Sequence, residues 1–276
     1  MSASTSFAQT KRDLAYDDQH PSQRLDVYLA KSDEPVPVMI FIHGGGWRAG
    51  TKRHVPAWLL DFVAAGELSV VSVEYRFTDV ATHPAQVNDC LRAIQYVRHH
   101  AKEWNIDPKR VGVTGGSAGG HLSAYVTLVD DAAKPKSKDL VEQQSSRVSC
   151  GVSFAGPTDW TLLKTLEHNH PAYRQLIDYE PKTPYAEMAI EKIKNVSPIK
   201  FASEDDPPLM QVHGDNDVIV PIQHAQKLHA ALSDVHVESR LVTIEGGNHG
   251  VAGAGKAVVA QPTDFVRRHL LRSQTE

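Results

Sequence analysis

The sequence predicts an α/β fold: a mostly parallel twisted sheet with helices on both faces and a small inserted cap. Three observations point there. Short β-branched runs alternate with amphipathic runs of helical period along most of the chain. The run at 36–42, VPVMIFI, is nearly all apolar, as in a strand buried on both faces. The length, 276 residues, suits one hydrophobic core, so a single domain over 1–276 is expected.

The elements follow in order. Residues 25–29 (LDVYL) alternate apolar and polar side chains and predict an early, half-exposed strand. After the strand at 36–42, residues 55–65 predict a helix and 68–75 (LSVVSVEY) a strand. A helix is expected over 84–101, with Pro84 in the first turn, where its missing N–H does no harm. Its apolar stripe is Val87, Cys90, Leu91, Ile94 and Val97. A short strand at 110–114 leads into GGSAGG and a helix over 118–129. Strands follow at 148–155 and 209–213, then a helix at 222–232. The last strand is expected at 235–244, an edge through which two copies could pair as a homodimer. The last helix is expected at 258–271. Two segments break the alternation. Residues 130–147 are polar and loop-like, and 156–208 form a long insert with Trp160, Tyr173, Tyr179 and Tyr185. Such inserts commonly lie over the carboxyl ends of the strands, so 156–208 is expected to be a partial cap.

Composition narrows the class. Hydrophobic residues make up 41 % and charged residues 22 %, ordinary for a globular chain. The net charge is −4 with the signs interspersed, so no basic stripe points to nucleic acid or an anionic membrane. No apolar stretch approaches the roughly 20 residues that span a bilayer. Residues 1–10 lack a basic region followed by an apolar run, so a cytoplasmic location is expected, or a secreted or periplasmic one if a leader was removed. The two cysteines, Cys90 and Cys150, sit in apolar surroundings and read as buried thiols.

The chemistry concentrates in three places. Gly115-Gly116-Ser117-Ala118-Gly119 matches G-x-S-x-G. Alone, the motif would occur by chance in roughly one chain in ten of this length. Here it follows a strand and opens a helix, the setting of a nucleophile elbow, with Ser117 as the nucleophile. A phosphate-binding loop is disfavoured, because no Lys follows and no G-x-G-x-x-G is present. His43-Gly44-Gly45-Gly46-Trp47 follows the buried strand. Glycines there let the main chain approach a substrate carbonyl, so the backbone N–H groups of Gly45, Gly46 and Ala118 are candidates for an oxyanion hole. His43 is expected to brace this loop. Trp47 and Trp160 are candidate pocket residues.

Around such an elbow the triad runs Ser, acid, His along the chain. Asp215 and Asp217 both qualify as the acid on spacing, since both follow the strand at 209–213. His249, in the glycine-bounded loop after the last strand, is the candidate base. His213, His224, His229 and His236 fall on strands or a helix and are less apt. A Ser-His-acid site of this kind needs neither metal nor organic cofactor.

Together HGGGW, GGSAGG, SPI (Ser197-Pro198-Ile199), PPLMQVHGDNDVIVP and GGNHG resemble the esterase/lipase branch of the α/β-hydrolases that carries an HGGG motif. They are most similar to a bacterial group of feruloyl-esterase-like or carbohydrate-esterase-like hydrolases, over about 25–271. The resemblance implies the α/β-hydrolase fold and a carboxylesterase acting on small-molecule esters through an acyl-enzyme. It also implies that Asp217, the last residue of the group's H-G-x-x-D pattern, is the acid. Lipase relatives of this branch commonly carry a longer N-terminal cap, whereas only about forty residues precede HGGG here. That departure favours short acyl groups, acetyl to butyryl, with 156–208 as the main cover. Two rival readings are an amide hydrolase such as an arylformamidase, and a catalytically dead receptor or scaffold. The latter kind usually loses the Ser or the His, and both stand here.

Overall fold

The computed structural model describes residues 9–165, 170–253 and 256–271. The apolar run at 36–42 becomes β3 (Val36–Ile42), every residue of it buried. Its alternate side chains feed two layers. Val38, Ile40 and Ile42 join one cluster with Val87 and Ile94 of α2 (Ala85–His99) and Leu122 of α3 (Ala118–Leu128). Met39 and Phe41 join another with Trp58 and Phe62 of α1 (Ala57–Ala64) and Phe265 of α7 (Lys256–Val266). Burying both faces of a strand in this way requires helices above and below the sheet.

Among the described residues the sheet has eight strands, in the order β1-β2-β4-β3-β5-β6-β7-β8. These are β1 (Gln9–Ala15), β2 (Arg24–Leu29), β3, β4 (Ser69–Val73), β5 (Ile106–Gly116), β6 (Cys150–Phe154), β7 (Leu209–Gly214) and β8 (Ser239–Ile244). The pairs β1·β2 and β2·β4 are antiparallel. All pairs from β4·β3 to β7·β8 are parallel. In the parallel part the carboxyl ends of the strands share one edge, where loops gather. This is the α/β-hydrolase architecture expected from the sequence. Cys90 and Cys150 are buried free thiols. Among the described residues, no helix is long and apolar enough to cross a membrane.

Two expectations need correction, and one strand is additional to those expected. The strand β2 is buried along nearly its whole length rather than half-exposed. Its polar residue Asp26 lies inside because Arg12 (2.7 Å), Lys52 (3.3 Å) and the Asp13 N–H (2.9 Å) satisfy it. The strand β1 had no apolar alternation to announce it; it is a charged edge strand. The strand expected at 235–244 starts only at Ser239. Helix α6 (Gln223–Asp234) runs on first, and His236 turns the chain at φ 62° while Val237 N–H caps Leu232 O at 2.9 Å.

The insert 156–208 contains short helical pieces, among them α4 (Ala172–Leu176) and α5 (Ile190–Val196). It packs on α3, with Tyr125 Oη donating to Asn195 O at 2.8 Å. It reaches the entrance of α2, where His83 N–H donates to Leu176 O at 2.7 Å. The loop 130–147 is pinned by Arg98, which donates to the carbonyls of Pro108 (3.0 Å), Ser145 (2.6 Å) and Arg147.

Candidate active site

Strand β5 ends at Gly116 and α3 begins at Ala118, so Ser117 carries the whole turn. Its dihedrals, φ 56° and ψ −120°, are strained for a residue with a side chain; such a conformation costs about 1–3 kcal/mol. The neighbours hold it there. Ser117 N–H donates to Phe154 O at 2.8 Å. A Cβ on Gly115 would lie 2.3 Å from Ile42 O, and one on Gly119 only 2.0 Å from it. The elbow is thus pressed against the end of β3, and only glycine fits at either flank.

Two loops bring the other side chains to Ser117. His249 follows β8, and its Nε2 lies 2.8 Å from Ser117 Oγ. Its Nδ1 donates to Asp217 Oδ2 at 2.8 Å, because a carboxylate in this position accepts. Asp217 sits in the loop after β7 with its side chain fully buried. Its Oδ1 accepts the N–H groups of Ile219 and Val220, each at 2.9 Å. Burial alone would raise its pKa, but hydrogen bonds from His213, His249 and the Val220 N–H outweigh that and hold the carboxyl well below its usual range. Asp215, equally placed on spacing, is exposed and serves another purpose. Its Oδ1 accepts Gly246 N–H at 2.7 Å and ties the Asp217 loop to the one bearing His249. The carboxylate that meets His249 is therefore that of Asp217.

The glycine loop lies beside the elbow. A Cβ on Gly44 would be 2.7 Å from Gly116 O. Gly45 adopts φ +112°, open only to glycine. Ala118, as the first residue of α3, has an N–H with no acceptor one turn back. His43 braces the loop as expected. Its Nδ1 donates to Gly44 O at 2.7 Å, its ring stacks on Tyr75 at 4.5 Å, and Nε2 is 3.3 Å from Glu74 Oε1. Burial pushes the Glu74 carboxyl up, but His43 and the Lys52 N–H pull it below its usual range.

Trp47 and Trp160 do not present their rings as an open pocket wall; they are 2 % and 0 % exposed. Their ring centroids are 5.7 Å apart in a cluster with Tyr173 and His121. Trp47 Nε1 donates to His121 Nδ1 at 3.1 Å, and His121 Nε2 donates to Val196 O at 2.8 Å. Both nitrogens of a neutral imidazole are thereby used, and burial pushes the His121 pKa down to about 3. This support escaped the sequence reading, although His121 lies four residues after Ser117. His213, set aside as a strand residue, also lies at the site, with Nε2 3.4 Å from Asp217 Oδ2.

Outside the glycine loop lies a polar groove of about 600 Å³. Arg48, Asp79, Gln175, Asp178, Tyr179 and Glu180 line it. It adjoins the site through Arg48, whose Nε is 3.8 Å from the position a Gly46 Cβ would take. The same position is 3.3 Å from Ala172 Cβ of α4. Among the described residues, no group of three or more His, Cys, Asp or Glu side chains could hold a metal. The arrangement can do nucleophilic acyl chemistry: a hydroxyl on a strained turn, an imidazole to take its proton, and a buried carboxylate to orient that imidazole.

Comparison with known proteins agrees with this chemistry. The family model described as BD-FAE matches residues 25–232. The "Probable carboxylic ester hydrolase LipM" of Mycobacterium tuberculosis is 31 % identical over 219 residues, 78 % of this chain and 49 % of that protein. The chain spans about half the length of the curated relatives it matches. Among solved structures, a truncated form of a carbohydrate esterase from gut microbiota is 27 % identical with TM-score 0.83, covering 97 % of this chain and 98 % of that one. An acetyl ester-xyloside bifunctional hydrolase from Caldicellulosiruptor lactoaceticus is 27 % identical with TM-score 0.73, covering 89 % and 84 %.

Proposed function

From the premise that the chain belongs to the BD-FAE family, we propose that it is a serine carboxylesterase that removes short acyl groups, acetyl to butyryl, from hydroxyl-rich alcohols such as sugars. The observation that carries this reading is the unbroken chain Ser117–His249–Asp217, each link 2.8 Å, at a strained elbow beside a glycine loop.

The geometry supports the following roles. His249 Nε2 takes the Ser117 proton as Oγ attacks the ester carbonyl. The carbonyl oxygen becomes an oxyanion and receives the N–H groups of Gly45, Gly46 and Ala118; losing one such donor typically costs about 3 kcal/mol. The imidazolium is stabilised by Asp217, whose carboxyl stays ionised because its pKa is held low. It returns the proton to the leaving alcohol, and a water activated by the same His249 hydrolyses the acyl-enzyme.

The polar groove at Arg48 offers donors and acceptors of the kind that bind hydroxyl groups, with the Tyr179 ring among them. The carbohydrate esterase and the acetyl ester-xyloside hydrolase found among similar structures fit that groove's chemistry.

The test is a fluorophosphonate probe with a panel of p-nitrophenyl esters and acetylated or feruloylated sugars. We expect Ser117 to be labelled, and acetyl to butyryl esters to be hydrolysed faster than octanoyl. The Ser117→Ala variant should keep its unfolding temperature and lose about 10⁴-fold or more in kcat. Substantial turnover in that variant would contradict the reading.

A further inference from the structure

His213 stands near the end of β7, four residues before Asp217, and is 1 % exposed. Its Nε2 lies 2.7 Å from Val220 O. A carbonyl only accepts, so this nitrogen carries the hydrogen. The same nitrogen is 3.4 Å from Asp217 Oδ2, the oxygen that accepts from His249 Nδ1 at 2.8 Å. Oδ1 is already occupied by the N–H groups of Ile219 and Val220. One carboxylate oxygen thus faces two imidazole N–H groups, one close and one shared with a carbonyl.

We propose that His213 is a positioning residue that acts through Asp217: its shared Nε2–H draws part of the Oδ2 charge away from His249, and so sets the pH below which His249 stops being a base. This rests on the reading of Ser117, His249 and Asp217 as the reacting groups. A carboxylate relieved of one donor stabilises a neighbouring imidazolium more strongly. Because the two backbone N–H groups keep Asp217 in place, losing His213 changes charge at Oδ2 more than geometry.

Titratable groups from neighbouring elements that interact with this trio include His224 from α6, Tyr173 from α4 and His170 just before α4. Burial pushes His224 down to about 3 and Tyr173 far up, so both are uncharged at neutral pH. His170 is lowered by partial burial, then by Arg48 and His249. Asp215, on the same loop, is exposed and engaged with Gly246 N–H.

The test compares His213→Phe, which keeps a flat ring without the N–H, with His213→Gln, whose amide can reach Val220 O. In His213→Phe the acid limb of kcat/KM should move up by about half a pH unit, with plateau kcat within about threefold of wild type. His213→Gln should bring the limb back. The His249 imidazole titration, followed by NMR without substrate, should move the same way. That readout needs no turnover, so it tests His213 even if Ser117 fails to label and the esterase reading falls. A limb and a titration that stay put or move down would overturn the proposal. Should the Phe variant not fold, His213→Asn serves instead, since its shorter amide falls short of Val220 O; the same upward shift is expected and its absence is equally fatal.

Discussion

The strand ends and the insert 156–208 are built by different rules. At the strand ends, backbone touches backbone. The elbow leaves 2.0 Å between a hypothetical Gly119 Cβ and Ile42 O, and Gly214 would place a Cβ 2.1 Å from Gly247 O. Residue identity there is dictated by contact. The insert relies more on side chains: Trp160 Nε1 on Tyr173 O at 3.1 Å, Ser197 Oγ under the Trp160 N–H at 2.9 Å, Tyr125 on Asn195 O. Side-chain packing tolerates repacking, whereas a backbone collision does not. On the proposed reading, the chemistry belongs to the strand ends and the shape of the substrate to the insert.

The strongest way to break that division is at the acid. Asp217→Asn should cut kcat about 10⁴-fold, because the imidazole loses the partner that fixes its tautomer. Asp215→Asn, two residues away, should cost less than tenfold, since Asp215 ties loops together through Gly246 N–H rather than touching His249. Steady-state rates on p-nitrophenyl acetate decide it, and the reverse ranking would move the acid. Trp160→Ala probes the other region. A fully buried tryptophan replaced by alanine should lose about 3–5 kcal/mol of stability in denaturant unfolding. The protein that remains folded should keep its kcat on p-nitrophenyl acetate within about tenfold. Loss of turnover in folded protein would make the insert part of the reacting machinery.

The same contrast explains what could be read in advance. Ser117, the glycine loop and His249 were legible because close backbone approach leaves short glycine-rich motifs. Asp217 and Asp215 could not be separated by spacing, since both follow β7. Their difference lies in direction: the Ile219 and Val220 N–H groups hold Asp217 where Oδ2 meets His249. Strand β1, QTKRDLA, was missed because an edge strand facing water needs no apolar alternation. The supports of the site were also hidden. His121 pairs with Trp47 and Val196, 74 and 75 residues away, and no local pattern announces such partners. Trp47 and Trp160, expected as pocket residues, are instead buried, because large aromatic residues look alike in sequence whether they face a ligand or fill the space behind it.

Buried neutral histidines sharpen the comparison through pH. His121 in the helix after the elbow and His224 beside the insert have folded pKa values of about 3, lowered first by burial, against an ordinary 6.5. Between those values the unfolded chain binds a proton that the folded chain refuses. Stability therefore falls as pH drops from about 6.5 toward 3, by up to about 1.4 kcal/mol per pH unit for each histidine. Asp217 adds to the loss at lower pH: its folded pKa is depressed, so its contribution is present above the unfolded value near 3.8 and vanishes as pH falls through the folded one. Unfolding free energies measured from pH 7 to 4 should decline steadily. In His224→Gln the decline should be shallower, and an unchanged slope would mean that His224 is protonated in the folded protein.

The smallest effect is expected at Arg48, where the two regions meet. Its side chain is exposed, donates to Gln175 Oε1 of the insert at 3.2 Å, and borders the Gly46 position. An exposed contact of this kind contributes little to stability, so Arg48→Ala should shift the unfolding free energy by less than about 0.5 kcal/mol. If the groove holds the sugar of an acetylated saccharide, the loss of this solvent-exposed donor should raise KM for that substrate about threefold to tenfold, the net worth of one ordinary hydrogen bond. p-Nitrophenyl acetate has no sugar to place there, and its KM should stay within twofold. Equal changes for both substrates would mean that Arg48 acts on the glycine loop rather than on the alcohol, and the groove would lose its claim to the leaving group.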